Sequence, residues 1–353
     1  MATNKSFLPE RGSAETQELI AHYQTCSGYE LDSLTRKYGY LNRHAFTNSM
    51  RKKYGVLRWQ SLSETKNEYV STDYKLPPDS TWEEHLEAIR AMEKLVAYHQ
   101  QVPEEINISV DTDLPIGLVH SADWQLGQFG VDYESFQRDI EAVRGEPGLF
   151  IAIGGDSYQN IIQPSKMGSS HNQSPISVQK GLVYLTYKRL LESILYIGTG
   201  NHNYWSALLE GEDWDGEMAK RLNLVYTKHC AKINLKVGKI TYPMLRMHKS
   251  RFNSAFNLTH TCKQNQRLYF PDARIVVAED KHVASLEQYR YNDKECVAIR
   301  TGTYAVYDDF AQQNGFFGAH VANPTTILFP KEDRLVAFKD MHDAITYLRA
   351  VRG

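Results

Sequence analysis

Four stretches of this 353-residue sequence end an apolar, β-branched run on side chains able to ligate a cation. IGLVHSAD closes on Asp123, GLFIAIGGD on Asp156 behind Gly154 and Gly155, SILYIGTGNHN on Asn201 and His202, and ARIVVAEDKH on Asp280 and His282. Carboxylate, carboxamide and imidazole together suit divalent ions of intermediate hardness such as Mn²⁺, Fe²⁺ or Zn²⁺. Open α/β sheets hold ligands beyond the carboxyl ends of their strands, so four such ends gather these groups into one crevice. A carboxylate beside two glycines can bring its backbone close and bridge two ions. Taken singly, an Asp after a strand is usually an N-cap or turn residue, and a lone His a surface group. Four in chain order make the combination specific.

The elements that must position these residues are short β-branched runs alternating with helical stretches from about 113 onward, the pattern of a layered α/β fold. YESFQRDIEAVRG separates the first two runs, VQKGLVYLTYKRLLE the next two, and FKDMHDAITYLRAVR is predicted as a terminal helix. The polar segment 163–177 is a loop and a candidate lid. Residues 61–112 read as a linker, broken at Pro77-Pro78. It contains one amphipathic helix whose Leu86, Ile89, Met92 and Leu95 recur at helical spacing and therefore pack on something. Residues 1–60 read as a small all-α domain: AETQELIAHYQTC, ELDSLTRKYG and NRHAFTNSMRKKYG are three helices. Asn42 caps the third, and Gly39 and Gly55 stand at helix ends.

A formal net charge of -2 confines any polyanion binding to a local patch. The hydrophobic fraction of 42% is that of a globular protein, and no apolar run reaches the length that spans a membrane. The N-terminus has no apolar core and is not a secretory signal, so a cytoplasmic location is expected. Cys26, Cys230, Cys262 and Cys296 form no CxxC pair, which excludes zinc-ribbon and redox-motif readings and leaves reduced thiols.

In order, Asp123-Trp-Gln-Leu-Gly127, Gly154-Gly-Asp156, Gly200-Asn-His202, His248 and Glu279-Asp-Lys-His282 resemble the motifs of calcineurin-like metallophosphoesterases. The stretch from His248 through Phe256-Asn257-Leu-Thr-His260 to His282 is similar to the phosphoesterases of bacteriophages. The resemblance runs from about Leu114 to the C-terminus. It implies a β-sandwich flanked by helices and a site for two divalent ions. Asp123, Asp156 and His282 would hold the first ion; Asp156, Asn201 and His248 would hold the second. His202 would assist the leaving oxygen, while a metal-bound hydroxide attacks phosphorus. Gln125 and Asp280 stand where the family usually has His. Both keep an oxygen that can coordinate, which favours Mn²⁺ or Mg²⁺ over Zn²⁺. His260 would orient a ligand, and Arg251 and Asn253 follow His248 closely enough to contact a phosphate. His120 reads as a packed or edge side chain and His171 as a loop histidine.

Arg36, Lys37, Arg43, Arg51, Lys52, Lys53 and Arg58 fall in a stretch with no acid between Ser33 and Ser63, interleaved with Tyr38, Tyr40, Phe46, Tyr54 and Trp59. Two short helices joined near 38–41 fit a helix-turn-helix, and a solvated basic face on a helical bundle fits equally. Together these readings give a phosphodiesterase or nuclease acting on DNA in a bacterial host's cytoplasm. The competing readings are a phosphoesterase of small phosphoesters or cyclic nucleotides, a DNA-binding or assembly protein with a degenerate phosphoesterase domain, and a scaffold that contacts only proteins.

Overall fold

The computed structural model describes residues 8–56, 81–100, 105–162, 174–307 and 320–353. His171, Arg58, Trp59, Pro77-Pro78 and residues 163–173 of the expected lid lie outside them. The chain divides into two compact units between Glu87 and Ala88, inside the stretch read as a linker.

The first unit carries α1 (Ala14–Thr25), α2 (Gly28–Lys37) and α3 (Arg43–Tyr54). Each begins on a side-chain cap: Ser13 accepts from the Thr16 N–H, Ser27 and Glu30 form a reciprocal capping box, and Asn42 accepts from the Ala45 N–H. Gly55 ends α3 in the left-handed region at φ 74°. Leu19, Tyr23, Leu31, Leu34, Phe46 and Met50 form the core, with Tyr23 edge-on to Phe46. Residues 38–42 are the turn between α2 and α3. Of the cations named above, Arg43 pairs with Asp32 and Lys53 donates to the Leu8 carbonyl at 2.7 Å. Arg36, Lys37, Arg51 and Lys52 are exposed.

A fourth helix, α4 (Trp82–Gln100), starts on a Thr81–Glu84 capping box. Its apolar stripe departs from expectation: Ile89 and Met92 are exposed, with no partner covering them among the described residues. Helical spacing reveals a stripe but not whether a partner exists.

The second unit is a sandwich of two sheets. Its strands are β1 (Glu105–Val110), β2 (Ile116–Ser121), β3 (Leu149–Ile153), β4 (Ile194–Ile197), β5 (Cys230–Val237), β6 (Ile240–Met247), β7 (Ile275–Ala278), β8 (Ser285–Tyr291), β9 (Lys294–Arg300), β10 (Thr325–Leu328) and β11 (Leu335–Phe338). One sheet has the order β11-β10-β2-β3-β4, the other β1-β5-β6-β7-β9-β8. β1 lies within the stretch read as linker, where the polar sequence EINISV hides a strand that pairs in parallel with β5. The helices are α5 (Tyr133–Gly145), α6 (Ile176–Arg189), α7 (Asn201–Glu210), α8 (Trp214–Leu222), α9 (His260–Tyr269) and α10 (Met341–Arg352).

Alternation along the strands sets the layers. Ile116, Leu118, Ala152 and Tyr196 meet Ile233, Met244, Val277 and Ile299 between the sheets. Val119, Ile151 and Ile153 face Phe136, Val183 and Leu348 of α5, α6 and α10. Leu245 and Met247 face Cys262 of α9. The result is helices outside both faces of a β-sandwich, the α/β fold expected. Among the described residues, no helix is long and apolar enough to cross a membrane.

His120 is packed within β2, as expected, with Nε2 3.1 Å from Thr326 Oγ1. Burial pushes its pKa down to about 3, so the folded chain keeps it neutral where the unfolded chain takes a proton. Stability from this site is full above pH 6.5 and is lost as pH falls from there toward 3. Between pH 6.5 and 5 the loss is about 2 kcal/mol. Denaturant unfolding of His120→Gln, which cannot be charged, should show a pH dependence flatter by that amount.

Candidate metal centre

Six strand ends meet at one place. β2 leads to Asp123, β3 to Asp156, β4 to Asn201 and His202, β6 to His248, β7 to Glu279–His282, and β9 to Thr301 and Thr303. The backbone ties them: the Asp123 N–H donates to the Gly155 carbonyl at 2.9 Å, and the Asp280 N–H to Asp123 Oδ2 at 3.1 Å. Asp123, Gln125, Asp156, Asp280 and His282 all have left-handed backbones, with φ of 52°, 51°, 58°, 73° and 58°. Each costs on the order of 1 kcal/mol relative to ordinary φ, and such residues cluster where function needs a side chain aimed off a strand end. The neighbouring glycines give room. A Cβ on Gly200 would lie 2.1 Å from Asp156 Oδ1, and one on Gly155 2.6 Å from His248 Nδ1.

Asp123, Asp156 and His248 are buried and offer ligand atoms within 4.8 Å of one another. His248 Nε2 lies 3.2 Å from Asp156 Oδ2 and 3.2 Å from Asn201 Oδ1, while Nδ1 lies 2.9 Å from Glu279 Oε2. With its proton on Nδ1, facing a carboxylate, the ring turns a lone pair toward two further acceptors. A proton or a cation must fill that space. Burial alone would lower the His248 pKa, but Asp156 and Glu279 outweigh it and hold it well above the ordinary value. Asp156 responds in kind; burial alone would raise its pKa, and His248 and His202 hold it low.

On the other side, His282 Nε2 is 3.5 Å from Asp123 Oδ1 and 3.4 Å from the Gln125 amide nitrogen. Asp123 Oδ1 and Gln125 Oε1 are buried and accept no hydrogen bond among the described residues. A half-turn of the Gln125 amide would swap its two atoms. Buried oxygens without donors cost about 1–3 kcal/mol each, a cost that a cation removes. The donor set therefore fits a divalent ion.

Behind the cluster is a charged clamp that the sequence did not disclose. Arg246 is fully buried and makes a bidentate pair with Glu279, at 2.7 Å and 2.6 Å. Glu279 also accepts from the Gly155 N–H at 2.9 Å and faces His248. Burial would raise the Glu279 carboxyl, but Arg246 and His248 bring it down to about 2. Arg300, also buried, donates to the Glu279 carbonyl at 3.2 Å, the Leu258 carbonyl at 2.8 Å and Asn253 Oδ1. Thr303 Oγ1 donates to the Asp123 carbonyl at 2.6 Å. A single Arg in a strand reads as surface, so no sequence signal singled out Arg246 or Arg300.

His202 stands at the rim. Its N–H donates to Asp156 Oδ1 at 2.8 Å, its Nδ1 lies 2.7 Å from the Gln159 carbonyl, and its ring packs 4.2 Å from that of Trp205. Its Nε2 is 3.9 Å from Asp156 Oδ2. The Asp280 carboxylate does not point into the cluster; it pairs with Lys281 at 2.9 Å and Lys249 at 3.7 Å. Asn253 is held by Arg300 and by the Ser250 carbonyl, and Arg251 is exposed with its carbonyl accepting from Thr261. His260 opens α9, its N–H on the Asn257 carbonyl.

No protein-family profile matches the sequence, and no curated protein does. Among solved structures the chain is similar to wild-type Vps29 complexed with Zn²⁺ from Entamoeba histolytica, at 10% identity and TM-score 0.33, over 63% of this chain and 98% of that one. A Streptococcus pneumoniae protein described as a predicted phosphoesterase gives 10% identity and TM-score 0.33, over 65% and 91%. A putative 5'-nucleotidase from Staphylococcus aureus gives 13% and 0.35, over 67% and 58%.

Glu279→Gln tests the clamp. It leaves the Arg246 guanidinium buried without a counter-charge, which should lower stability by about 3–5 kcal/mol in denaturant unfolding. Calorimetric Mn²⁺ affinity should fall roughly 10–100-fold as His248 loses its orienting carboxylate. Unchanged stability would show that Glu279 does not neutralise Arg246.

Proposed function

We propose that this chain is a metal-dependent phosphodiesterase of the calcineurin-like kind, acting on DNA. The observation that carries the reading is the buried trio Asp123, Asp156 and His248, with donor atoms within 4.8 Å and carboxylate and amide oxygens lacking donors. In this reading Asp156, Asn201 and His248 would hold one divalent ion, and Asp123, Gln125, Asp156 and His282 would hold a second, with Asp280 adjoining. Mn²⁺ suits this oxygen-rich set, with Mg²⁺, Fe²⁺ and Zn²⁺ as alternatives. Bound there, such ions activate water and neutralise charge on a phosphoryl group.

The chain's own residues do the rest. His202 keeps one proton at Nδ1 against the Gln159 carbonyl, so its Nε2, 3.9 Å from Asp156 Oδ2, faces the candidate metal centre. A proton on Nε2 passes to the leaving alkoxide as its bond to phosphorus breaks, while water adds to phosphorus and gives its own proton to solvent. Trp205 fixes the ring plane, and the backbone bond to Asp156 fixes the helix end that carries it. The products are a phosphomonoester and an alcohol.

Metal-stripped protein resupplied with Mn²⁺ should hydrolyse a bis-aryl phosphodiester. Asp156→Ala should abolish the metal response, and His202→Ala should lower kcat by about 10²–10⁴-fold on a substrate with a poor leaving group. Absence of metal-stimulated hydrolysis in the intact chain would sink the reading.

In the same reading the N-terminal unit supplies DNA affinity. α3 contains no Asp or Glu and exposes His44, Asn48, Arg51 and Lys52. Such a face suits phosphate contacts and base edges. Changing Arg51 and Lys52 together to Ala in the full chain should reduce the slope of log affinity against log salt by about 1.8, the value for two phosphate contacts on duplex DNA. An unchanged slope would leave α3 a solvated basic face.

A further inference from the structure

Beside the metal centre, β5, the end of β6 and α9 enclose a groove of about 610 Å³ lined by Cys230, Lys232, Met247, Lys249, Arg251 and Tyr269, among others. No Asp or Glu among the described residues lines it. Three cations therefore face one cleft in a chain whose net charge is -2. Lys232 lies over the Phe270 ring, its ammonium 5.6 Å from the centroid. Tyr269 is 53% exposed, an aromatic surface left open beside the cations.

The groove joins the centre through Lys249. That side chain lines the groove, yet its ammonium lies 3.7 Å from Asp280, whose N–H donates to Asp123. Met247 and Lys249 flank His248 in sequence; they line the groove, while the imidazole between them faces Asp156. A molecule lying in the groove therefore ends at the rim of the candidate metal centre.

We infer that this groove carries a single-stranded stretch of polynucleotide next to the scissile phosphodiester, with Lys232, Lys249 and Arg251 on its phosphates and Tyr269 stacked on a base. Cations tracking a backbone together with an exposed aromatic are what sequence-tolerant single-strand binding requires. The groove's volume of about 610 Å³ has room for a short piece of strand. The biological use of the groove rests on the phosphodiesterase reading; its test does not.

Cys230 supplies the test, because it is exposed in the groove while Cys26, Cys262 and Cys296 are buried. Its alkylation by iodoacetamide is followed in the full chain, chelator present, with and without a short oligodeoxythymidylate. The strand should slow alkylation at least about tenfold, and rising salt should erase the protection. Tyr269→Ala should weaken the protecting affinity about tenfold, the scale of one stacked base. Lys232→Glu with Arg251→Glu should abolish protection at an unchanged circular dichroism spectrum. Two results would overturn the inference: no protection at oligonucleotide concentrations that saturate binding to the chain, or equal protection by inorganic tripolyphosphate, which would make the groove an anion site without a strand. Since no turnover is involved, a protected thiol in a chain that hydrolyses nothing would separate failure of the enzyme reading from failure of this one.

Discussion

Two carboxylates buried within ligand distance of each other, with no Lys or Arg paired to either among the described residues, are the constraint from which the site follows. At an effective dielectric near 20, unit charges about 4.8 Å apart repel by roughly 3.5 kcal/mol. The chain also accepts left-handed backbone at Asp123 and Asp156 to hold them there. Neither side chain belongs to the apolar clusters that form the core. What the arrangement does is leave one space in which a positive charge is strongly favoured. Asp156 and Glu279 hold the His248 pKa well above its ordinary value, so a proton and a cation would compete for the same lone pair.

The topology explains how six strand ends reach that space. β2, β3 and β4 run parallel in one sheet, and β6, β7 and β9 run parallel in the other. Parallel strands deliver all their carboxyl ends to one side, so each sheet contributes a row of loops, and the sandwich brings the rows together. The Arg246–Glu279 pair then joins the rows from behind: Arg246 sits on β6, Glu279 follows β7, and Glu279 accepts from Gly155 after β3. One carboxylate thus links both sheets and aims His248. Its own charge is matched by Arg246, so it adds little to the repulsion in front.

Much of this was legible in the sequence, for physical reasons. β2, β3, β4 and β7 are buried on both faces and read as continuous apolar runs, and the residues ending them were found by that signal. His248 was placed by order alone, because its strand, ITYPMLRM, carries a proline and an arginine and does not read as a run. β1 alternates polar and apolar residues and falls in the stretch read as linker. The partnership of Arg246 with Glu279 spans 33 positions, and no local pattern encodes a contact so distant. Helix α3 was legible through Asn42 and Gly55, whose capping chemistry is local, while the caps Ser13 and Ser27 of α1 and α2 emerge only from the structure. Which of their cations stay available was not, because it depends on Asp32 and on the Leu8 carbonyl.

The two departures from the resembling family bear on the two halves of the site unequally. On the Asp156 side, Asn201 and His248 converge with buried, oriented atoms. On the Asp123 side, a carboxamide and a partly exposed His282 face the aspartate, and the Asp280 carboxylate is turned to Lys249 and Lys281. An aspartate replacing a histidine would add a negative charge to a cluster that already repels itself. The two ammonium groups cancel that addition, one of them only 2.9 Å away. Gln125, being neutral, adds none. What faces the Asp123 side is therefore a carboxylate, a carboxamide and one imidazole. Oxygen donors of this kind suit harder ions than imidazole does, and the Asp156 side has the buried imidazole of His248.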